Sequence, residues 1–479
     1  MTDAPPARPA LTAVQLAARA LLLLALALLA VWLWSRLCRF PSVPWNDMRL
    51  APSVALAQGW PVYPTADTGT INTWMYGPLP LLLFLPAAWA PSAADALMIA
   101  AVINAALTIG PLALVCAFWP AGSPTGASRL ARTAAFALCL ALWPELHYSV
   151  IFSDNLAVAC GLVGNLLLVR ARSSLGFWLA AAVATAAVGC KQIALGIPLA
   201  QVVWLGVTAG SGAAWRHAGR CAACGAVIGG ALIAKFGWAG LWFTLVEIPG
   251  GLGWAPDVAL RLRAVAAELA LLVALPAVTM MVARRFFAPS ALRLAALAWL
   301  CALPLGLAGM MKVGGWTNSL HGFVLWLPPV LVSALARPTT RRALAPLGAA
   351  AAALALTAGR VLAEPEFTLR PQLAAYHEAE GIAAQFAGAV WFPMHPLVTL
   401  YSDRHYYHDE DGLYTRSKAG KPIPEAQAAA HLPAAMRAIA QRHDWTDWGI
   451  ARRMLPPQSA ETVIGHWTLR TGRVAEKTP

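Results

Sequence analysis

The chain has 479 residues, of which 59% are hydrophobic and 12% are charged, and its mean hydropathy is +0.60. Soluble domains carry about 25% charged residues, so this composition excludes an ordinary soluble protein and indicates an α-helical polytopic membrane protein. The formal net charge is +13, yet residues 363–479 contain 12 Lys and Arg against 13 Asp and Glu. The positive charge therefore belongs to residues 1–362, where it indicates membrane orientation and not nucleic-acid binding.

Apolar segments near the length of a membrane span recur through residues 1–362. A helix needs roughly 20 apolar residues to cross a bilayer. The sequence predicts about eleven transmembrane helices, at 17–37, 97–118, 133–151, 155–169, 174–189, 192–208, 220–236, 264–283, 294–311, 320–336 and 343–361. The segment 76–90 is shorter and contains three prolines, so whether it crosses depends on the charges of the loops.

The arginines between the predicted spans indicate the orientation, because cytoplasmic loops are enriched in basic residues. If 76–90 lies along the membrane surface and the N-terminus is cytoplasmic, every basic doublet falls inside: Arg129 and Arg132, Arg170 and Arg172, Arg216 and Arg220, Arg284 and Arg285, Arg341 and Arg342. The Ala-, Arg- and Pro-rich composition is typical of a bacterium with a GC-rich genome. We therefore predict a bacterial inner-membrane protein with a cytoplasmic N-terminus and a periplasmic C-terminus.

The first external loop, residues 38–96, is long for a compact membrane bundle. Its stretch PWNDMRLAPSVALAQGWPVY (44–63) has the apolar spacing of a short interfacial helix that ends at Gly59. Asp47 lies at the start of this helix, so an N-cap is the ordinary alternative to a catalytic role. The same topology places further ionisable and polar groups outside, which indicates a site at one membrane face: Asp67, Glu145, Asp154, Lys191, Glu247, Asp257, Lys312, Asn318 and His321.

Residues 363–479 differ in character from the rest, with prolines, charges and short β-like runs such as GAVWFP and LVTLYS. They predict a small mixed α/β external domain that rests on the membrane domain of residues 1–362. Within it, SDRHYYHDEDG (402–412) concentrates His405, His408, Asp409, Glu410 and Asp411. A solvated loop is the favoured interpretation of this segment, and metal binding is the alternative.

Short motifs follow one another along residues 17–336. They are an acid after the first span (Asp47), A-x-G-x-x-x-Y ending at Tyr63, Y-G-P-L from Tyr76, S-D-N-L-A around Asp154, K-Q-x-A-L from Lys191, and K-V-G-G-W-T-N from Lys312 to Asn318. In order and spacing, the set resembles the GT-C superfamily of polyprenyl-phosphate-sugar-dependent membrane glycosyltransferases. That superfamily includes protein mannosyltransferases and aminoarabinose transferases.

The resemblance implies a GT-C-like fold and a hexosyl- or pentosyltransferase with a polyprenyl-phosphate-linked sugar donor. The acceptor is a hydroxyl group of a glycan, lipid or protein at the external face, and the configuration at the anomeric carbon is inverted. An acceptor hydroxyl needs a general base, which we assign to Asp47. Asp154 is either a second catalytic-site carboxylate that orients the acceptor or the base, as the resemblance favours, or an N-cap of the span that begins at residue 155. The donor phosphate needs cations, and Lys191, Lys312 and Arg49 are the candidates, although lysines at span ends also snorkel to the interface. The remaining substrate-binding candidates are Asn46, Tyr63, Tyr76, Gln192, Asn318 and His321.

One departure from the family concerns the first loop, where many relatives carry an acidic pair. Here Asp47 is followed by Met48 and Arg49. No cofactor follows from the motifs, and a divalent cation such as Mg²⁺ or Mn²⁺ stays open, because Asp47 and Asp154 can act with or without one. Two other classes of function also stay open, a polytopic transporter or lipid flippase and a non-catalytic envelope-glycan assembly protein. A transporter favours charges at mid-membrane depth and inverted repeats, and the sequence shows neither.

Overall fold

The computed structural model describes residues 9–120, 126–263, 266, 289–335, 344–364, 366–443, 449–454 and 459–472, most of which are helical. The helices that the site and its surroundings use are α1 Pro9–Arg39, α2 Pro44–Ala57, α3 Leu79–Leu83, α4 Ala93–Phe118, α5 Gly126–Leu142, α6 Leu146–Ser149, α7 Ser153–Arg170, α8 Ser174–Cys190, α9 Gly196–Ala209, α10 Ser211–Phe236, α11 Trp238–Trp242, α12 Ile248–Gly251, α13 Pro289–Met311, α14 Leu327–Leu335, α15 Ala345–Leu362, α16 Ala374–Gln385, α17 Pro396–Ser402, α18 Glu410–Lys418 and α19 Glu425–Ala430. Shorter 3₁₀ segments lie at Phe40–Ser42, Leu85–Trp89, Gln192–Leu195, Thr317–Leu325 and Ala451–Met454, and a π-helical turn lies at Phe243–Glu247.

Within the described ranges, seven helical stretches are long and apolar enough to cross a membrane: Ala13–Ser42, Ala93–Phe118, Gln192–Ala209, Ser211–Phe236, Ala291–Met311, Thr317–Leu335 and Ala345–Leu362. Three further predicted spans correspond to α5, α7 and α8, which are only 17 or 18 residues long. The remaining predicted span, 264–283, lies outside the described residues. The chain is therefore a multi-pass α-helical membrane protein.

The first loop contains the helices that the sequence indicated. Helix α2 begins at Pro44 and ends at Ala57, and Gly59 follows with a positive φ of 88°, which a glycine adopts at little cost. The proline-rich segment 76–90 divides into α3 and the 3₁₀ turn Leu85–Trp89, each of five residues. Neither piece is long enough to cross a bilayer.

Small side chains bring the membrane helices together. Helices α7 and α8 are joined by residues 171–173 and pack side by side, and the buried face of α8 consists of Ala180, Ala181, Ala184 and Ala187. Alanine at such an interface lets two helix backbones approach closely. Because α7 and α8 form a hairpin, the first turn of α7 lies at the same end as the residue that follows α8.

A small mixed sheet lies near the C-terminus. Its strands are β1 Val390–Trp391, β2 Ala438–Arg442, β3 Ser459–Ile464 and β4 Trp467–Gly472, in the order β1-β2-β4-β3. Strand β1 is parallel to β2, with Val390 opposite Ala438, and the other two pairings are antiparallel. The predicted membrane bundle with a small mixed α/β C-terminal part is confirmed, whereas the boundary at residue 363 stays a prediction.

The C-terminal sheet shares one apolar core with the first loop. Leu50 and Val54 of α2 belong to the same buried cluster as Phe392, Leu397 and Trp467. Burial of apolar surface is the main stabilising term in folding, so this shared core fixes α2 against the C-terminal part of the chain.

The interpretation of residues 402–412 as a solvated loop is wrong for residues 406–410, whereas Ser402 and Arg404 are exposed. Tyr406, His408, Asp409 and Glu410 are fully buried. Backbone N–H groups donate to the last three: Ile71 to His408 Nδ1 and Thr73 to Asp409 Oδ2, both at 2.8 Å, and Ile450 and Ala451 to Glu410 at 2.7 Å. Buried polar groups persist when they are hydrogen-bonded in this way. The bonds from Ile71 and Thr73 attach the first loop to the C-terminal part.

Candidate functional site

An ion pair between α7 and the end of α8 forms the centre of the candidate site. Lys191 donates from Nζ to Oδ1 of Asp154 at 2.8 Å and to Oδ2 at 2.7 Å. Asn318 donates to the same Oδ2 at 3.1 Å. The side chains of Asp154 and Lys191 are only 6% and 9% exposed. Three residues that the sequence nominated from separate motifs therefore meet at one point.

Tyr76 lies against this ion pair. The ammonium of Lys191 is 5.4 Å from the centroid of the Tyr76 ring, a cation–π distance. The neighbouring Gly77 donates its backbone N–H to the carbonyl of Cys190 at 3.0 Å. A Cβ at Gly77 would lie 1.9 Å from the carbonyl oxygen of Gly189, so only glycine fits there. This close backbone contact places Tyr76 beside Lys191.

A cavity of about 30 Å³ opens beside the pair. Asp154, Lys191 and Ser319 supply its polar edge, and its walls are mainly apolar, with Ile197 and Leu325 among them. The volume admits only a few water molecules. A polar end with apolar walls suits a ligand that joins an anionic head to a hydrocarbon, provided that side chains move to admit it.

Two histidines lie against each other near the pair, with their ring planes inclined by 45°, and the sequence nominated only one of them. The rings of His147 and His321 have centroids 4.1 Å apart, and both side chains are buried. Nε2 of His147 and Nδ1 of His321 have no hydrogen-bond partner among the described residues. Sequence reasoning missed His147, although a histidine between two apolar runs is the kind of signal that identifies intramembrane polar sites.

Asn46 and Arg49 support the segment before α7 rather than line the cavity. Asn46 donates to the carbonyls of Phe40 and Ser149, each at 2.8 Å, and accepts the N–H of Ile151 at 2.8 Å. Arg49 donates to the carbonyl of Ile151 at 2.9 Å. The predicted substrate role of Asn46 is therefore not favoured, because its amide is fully buried and engaged within the protein.

Asp47 lies under the C-terminal part of the chain. Its side chain is fully buried, and Oδ1 accepts the backbone N–H of Leu397 at 2.9 Å. Oδ2 lies 3.6 Å from Nδ1 of His395, which is also 3.1 Å from the hydroxyl of Tyr376. Burial, followed by the Asp47 carboxylate, raises the pKa of Tyr376 well above its ordinary value.

The N-cap interpretation of Asp47 is wrong, because Val43 is the N-cap of α2 and no side chain caps that helix. The assignment of Asp47 as general base is not favoured by this geometry either. A base must reach the acceptor hydroxyl, and Asp47 does not line the cavity at Asp154.

The other nominated residues lie in separate contacts. Lys312 donates to the carbonyl of Pro249 at 2.6 Å, and Gln192 donates to the carbonyl of Leu245 at 3.2 Å. Tyr63 donates its hydroxyl to the carbonyl of Tyr76 at 2.8 Å, so it positions Tyr76. Among the residues that the structure describes, no group of three or more His, Cys, Asp or Glu side chains is arranged to hold a metal ion.

Comparison with known proteins gives a structural similarity only. Neither a protein-family model nor a curated protein matches the sequence. The chain is similar to the crystal structure of ArnT from Cupriavidus metallidurans bound to undecaprenyl phosphate, with a TM-score of 0.58 and 12% identity over 95% of this chain and 98% of that chain. The apo structure of the same protein gives a TM-score of 0.55 and 12% identity over 94% and 97% of the two chains. The chain therefore has the same overall fold as this ArnT structure, which agrees with the fold that the sequence motifs predicted.

Proposed function

We propose that this protein is an integral-membrane glycosyltransferase that moves a sugar from a polyprenyl-phosphate donor to a hydroxyl group of a glycan, lipid or protein. The observation that carries the proposal is the buried Asp154–Lys191 pair beside an apolar-walled cavity, in a chain with the GT-C fold. The ArnT structure of this fold holds undecaprenyl phosphate, which supports a lipid phosphate as the sugar carrier here.

The proposed chemistry is a single displacement. The acceptor oxygen attacks the anomeric carbon while the bond from that carbon to the phosphate oxygen breaks. The phosphate leaves with the bonding electrons as polyprenyl phosphate, and the proton of the acceptor hydroxyl passes to a carboxylate. The configuration is inverted because one bond forms opposite the bond that breaks. A cation stabilises the charge that develops on the leaving phosphate, and Lys191 is placed for that role.

Two carboxylates compete for the role of general base. The sequence motif favours Asp47, but that side chain is fully buried and accepts the Leu397 amide. Asp154 lines the cavity and lies beside the cation that would hold the phosphate. We therefore assign the base to Asp154 and give Asp47 a positioning role.

We place the reaction at the external, periplasmic face of the membrane. Helix α7 has Asp154 in its first turn and Arg170 in its last turn, so the site and the basic loop lie at opposite ends of one helix. Basic residues concentrate in cytoplasmic loops, which supports an external position for Asp154.

The experiment is lipid-carrier and glycan profiling of a bacterial strain that lacks the gene, complemented with matched variants. The deletion should accumulate a polyprenyl-phosphate sugar and lose one glycosylated product, and the wild-type gene should reverse both changes. Asp154→Asn should lower turnover by about 10²–10⁴-fold, the usual contribution of a general base. Asp47→Asn should retain most of the product, because its carboxamide oxygen can still accept the Leu397 N–H.

Three outcomes would change these assignments. If Asp154→Asn complements the deletion fully and Asp47→Asn does not complement it, Asp47 and not Asp154 is the general base. Normal carrier and glycan pools in the deletion strain would reject the glycosyltransferase. Accumulation of an unmodified substrate on one side of sealed vesicles, without any glycosylated product, would favour a transporter.

A further inference from the structure

We infer that Lys191 masks the Asp154 carboxylate until a lipid phosphate binds, so that the donor itself uncovers the base. Without donor, the Asp154 carboxylate is bound to the Lys191 ammonium, where the phosphate of the donor would otherwise bind. The phosphate would replace the carboxylate as the partner of the Lys191 ammonium, and Asp154 would then be able to accept a proton. This inference rests on the proposed function and adds an order of binding, in which the polyprenyl-phosphate donor precedes the acceptor.

The hydrogen-bond inventory of Lys191 carries the first step. An ammonium has three N–H donors and no acceptor. Two of them contact Oδ1 and Oδ2 of Asp154 at 2.8 and 2.7 Å, and the Tyr76 ring lies 5.4 Å from Nζ. One N–H remains for a phosphate oxygen, so a phosphate that takes two N–H groups of Lys191, as Asp154 now does, must displace at least one of the bonds to Asp154.

The space around the pair supports the same conclusion. Beside Asp154 and Lys191 the cavity measures about 30 Å³, and both side chains are less than one tenth exposed. A phosphate group with its sugar is larger than this cavity, so side chains that line it must move when the donor enters. Asp154 and Lys191 form its charged edge, where the phosphate would bind, so their contact is the one that we expect to change.

Electrostatics make an exchange of partners cheaper than a simple separation. A buried charge that loses its only counter-ion is strongly destabilised, whereas replacement of the carboxylate by a phosphate keeps the ammonium paired. Asp154 keeps the hydrogen bond from Asn318, which holds the carboxylate in place at 3.1 Å. An unpaired carboxylate in a buried site takes up a proton more readily than an ion-paired one. The exchange thus couples donor binding to activation of the base.

The test measures binding of undecaprenyl phosphate to the full-length protein in detergent, with undecaprenol as the control without phosphate. The variants are Asp154→Asn, Lys191→Met and the double variant. If Asp154 competes with the phosphate, Asp154→Asn should bind undecaprenyl phosphate about tenfold or more tightly than wild type. Lys191→Met should lose the preference for the phosphate over undecaprenol, with or without Asp154→Asn.

The outcomes separate this inference from the proposed function. If Asp154→Asn binds undecaprenyl phosphate no more tightly than wild type and Lys191→Met loses binding, the masking is overturned. The assignment of Lys191 to the donor site is then still supported. If wild type and all variants bind undecaprenyl phosphate no better than undecaprenol, the donor assignment and the masking both fall.

A second measurement on the wild-type chain covers the case in which Asp154→Asn does not fold. A hydrophobic carbodiimide reacts with protonated carboxyl groups, and mass spectrometry of the peptides locates the product. Undecaprenyl phosphate should raise the labelling of Asp154 several-fold and leave buried Asp47 unchanged. Unchanged or lower labelling of Asp154 at saturating undecaprenyl phosphate would overturn the masking.

Discussion

The backbone N–H of Leu397 donates a 2.9 Å hydrogen bond to Oδ1 of Asp47, and this bond joins the C-terminal part of the chain to the first loop. Asn46 and Arg49 of the same helix hold Ile151, three residues before Asp154. A continuous set of contacts therefore runs from the C-terminal part through α2 to the candidate site.

The first prediction concerns Asp47 as a structural acceptor. Asp47→Ala leaves the Leu397 amide buried without a partner and should cost about 1–3 kcal/mol of stability. Asp47→Asn should cost less, because a carboxamide oxygen still accepts the bond. Thermal unfolding of the purified variants in detergent measures the difference. Equal stability of Asp47→Ala and wild type would show that this contact contributes nothing.

The second prediction concerns the ion pair itself. Lys191→Met leaves the Asp154 carboxylate buried without its counter-ion and should destabilise the protein by about 3–5 kcal/mol. The double variant Lys191→Met/Asp154→Leu removes both charges and should recover much of that loss. A double-mutant cycle on unfolding free energies gives the coupling. A double variant as unstable as the sum of the single variants would show that the two charges are independent.

The third prediction concerns the contact between the first loop and α8. Gly77→Ala would place a methyl group 1.9 Å from the Gly189 carbonyl oxygen, so the backbone must shift and Tyr76 must move with it. We expect a lower unfolding temperature and loss of transferase activity. Gly110→Ala is the matched control, because its Cβ would meet nothing within 4 Å. A similar change in both variants would mean that the Gly77 contact is not specific.

The fourth prediction is a pH dependence from the C-terminal part. Burial, then the neighbouring His431, lowers the pKa of His408 from 6.5 to about 3. The unfolded state therefore binds more protons between these values, so the contribution of His408 to stability is lost as the pH falls from about 6.5 towards 3.

The variant His408→Asn isolates this contribution. Its side-chain oxygen can replace Nδ1 as the acceptor for the Ile71 N–H, but it does not titrate. Burial raises the pKa of Asp409, which acts in the opposite direction, so the difference between wild type and variant is the informative quantity. The unfolding temperature should decrease less between pH 7 and pH 4 in His408→Asn than in wild type. The same decrease in both would exclude His408 as the source.

The fifth prediction concerns orientation in the membrane. Asp67 and Arg129 are both exposed. The topology predicted from the loop charges puts them on opposite sides of the membrane. An impermeant maleimide added to intact spheroplasts should label Asp67→Cys and not Arg129→Cys. The eight native cysteines are buried or half-buried, so the unmodified chain gives the background. If Arg129→Cys were labelled and Asp67→Cys were not, the orientation of the protein in the membrane would be the reverse of the predicted one.

Local patterns in the sequence were sufficient to predict the fold class. Runs of apolar residues indicated the membrane helices, because a bilayer accepts only segments whose backbone groups are satisfied internally. The basic residues of the loops favoured a position of segment 76–90 along the membrane surface, and the order of the motifs predicted a GT-C-like fold. These features are determined by residues that are close together in the sequence, so they can be predicted from one sequence.

The composition of the site depended on contacts between distant parts of the chain. The sequence nominated Asp154, Lys191, Tyr76 and Asn318, and the structure brings them together. It also nominated Asp47 as the base and missed His147. Nothing near Asp47 in the sequence shows that Leu397, 350 residues away, covers it.

The sequence by itself was sufficient to predict a multi-pass membrane protein with a GT-C-like fold and to nominate the residues that could take part in chemistry. Only the tertiary structure decided which of those residues face a cavity and which are enclosed. The physical reason is that hydropathy and helix signals act over a few residues, whereas burial of a carboxylate depends on the element that packs over it. For Asp47 that element is α17, and for Asp154 it is the end of α8.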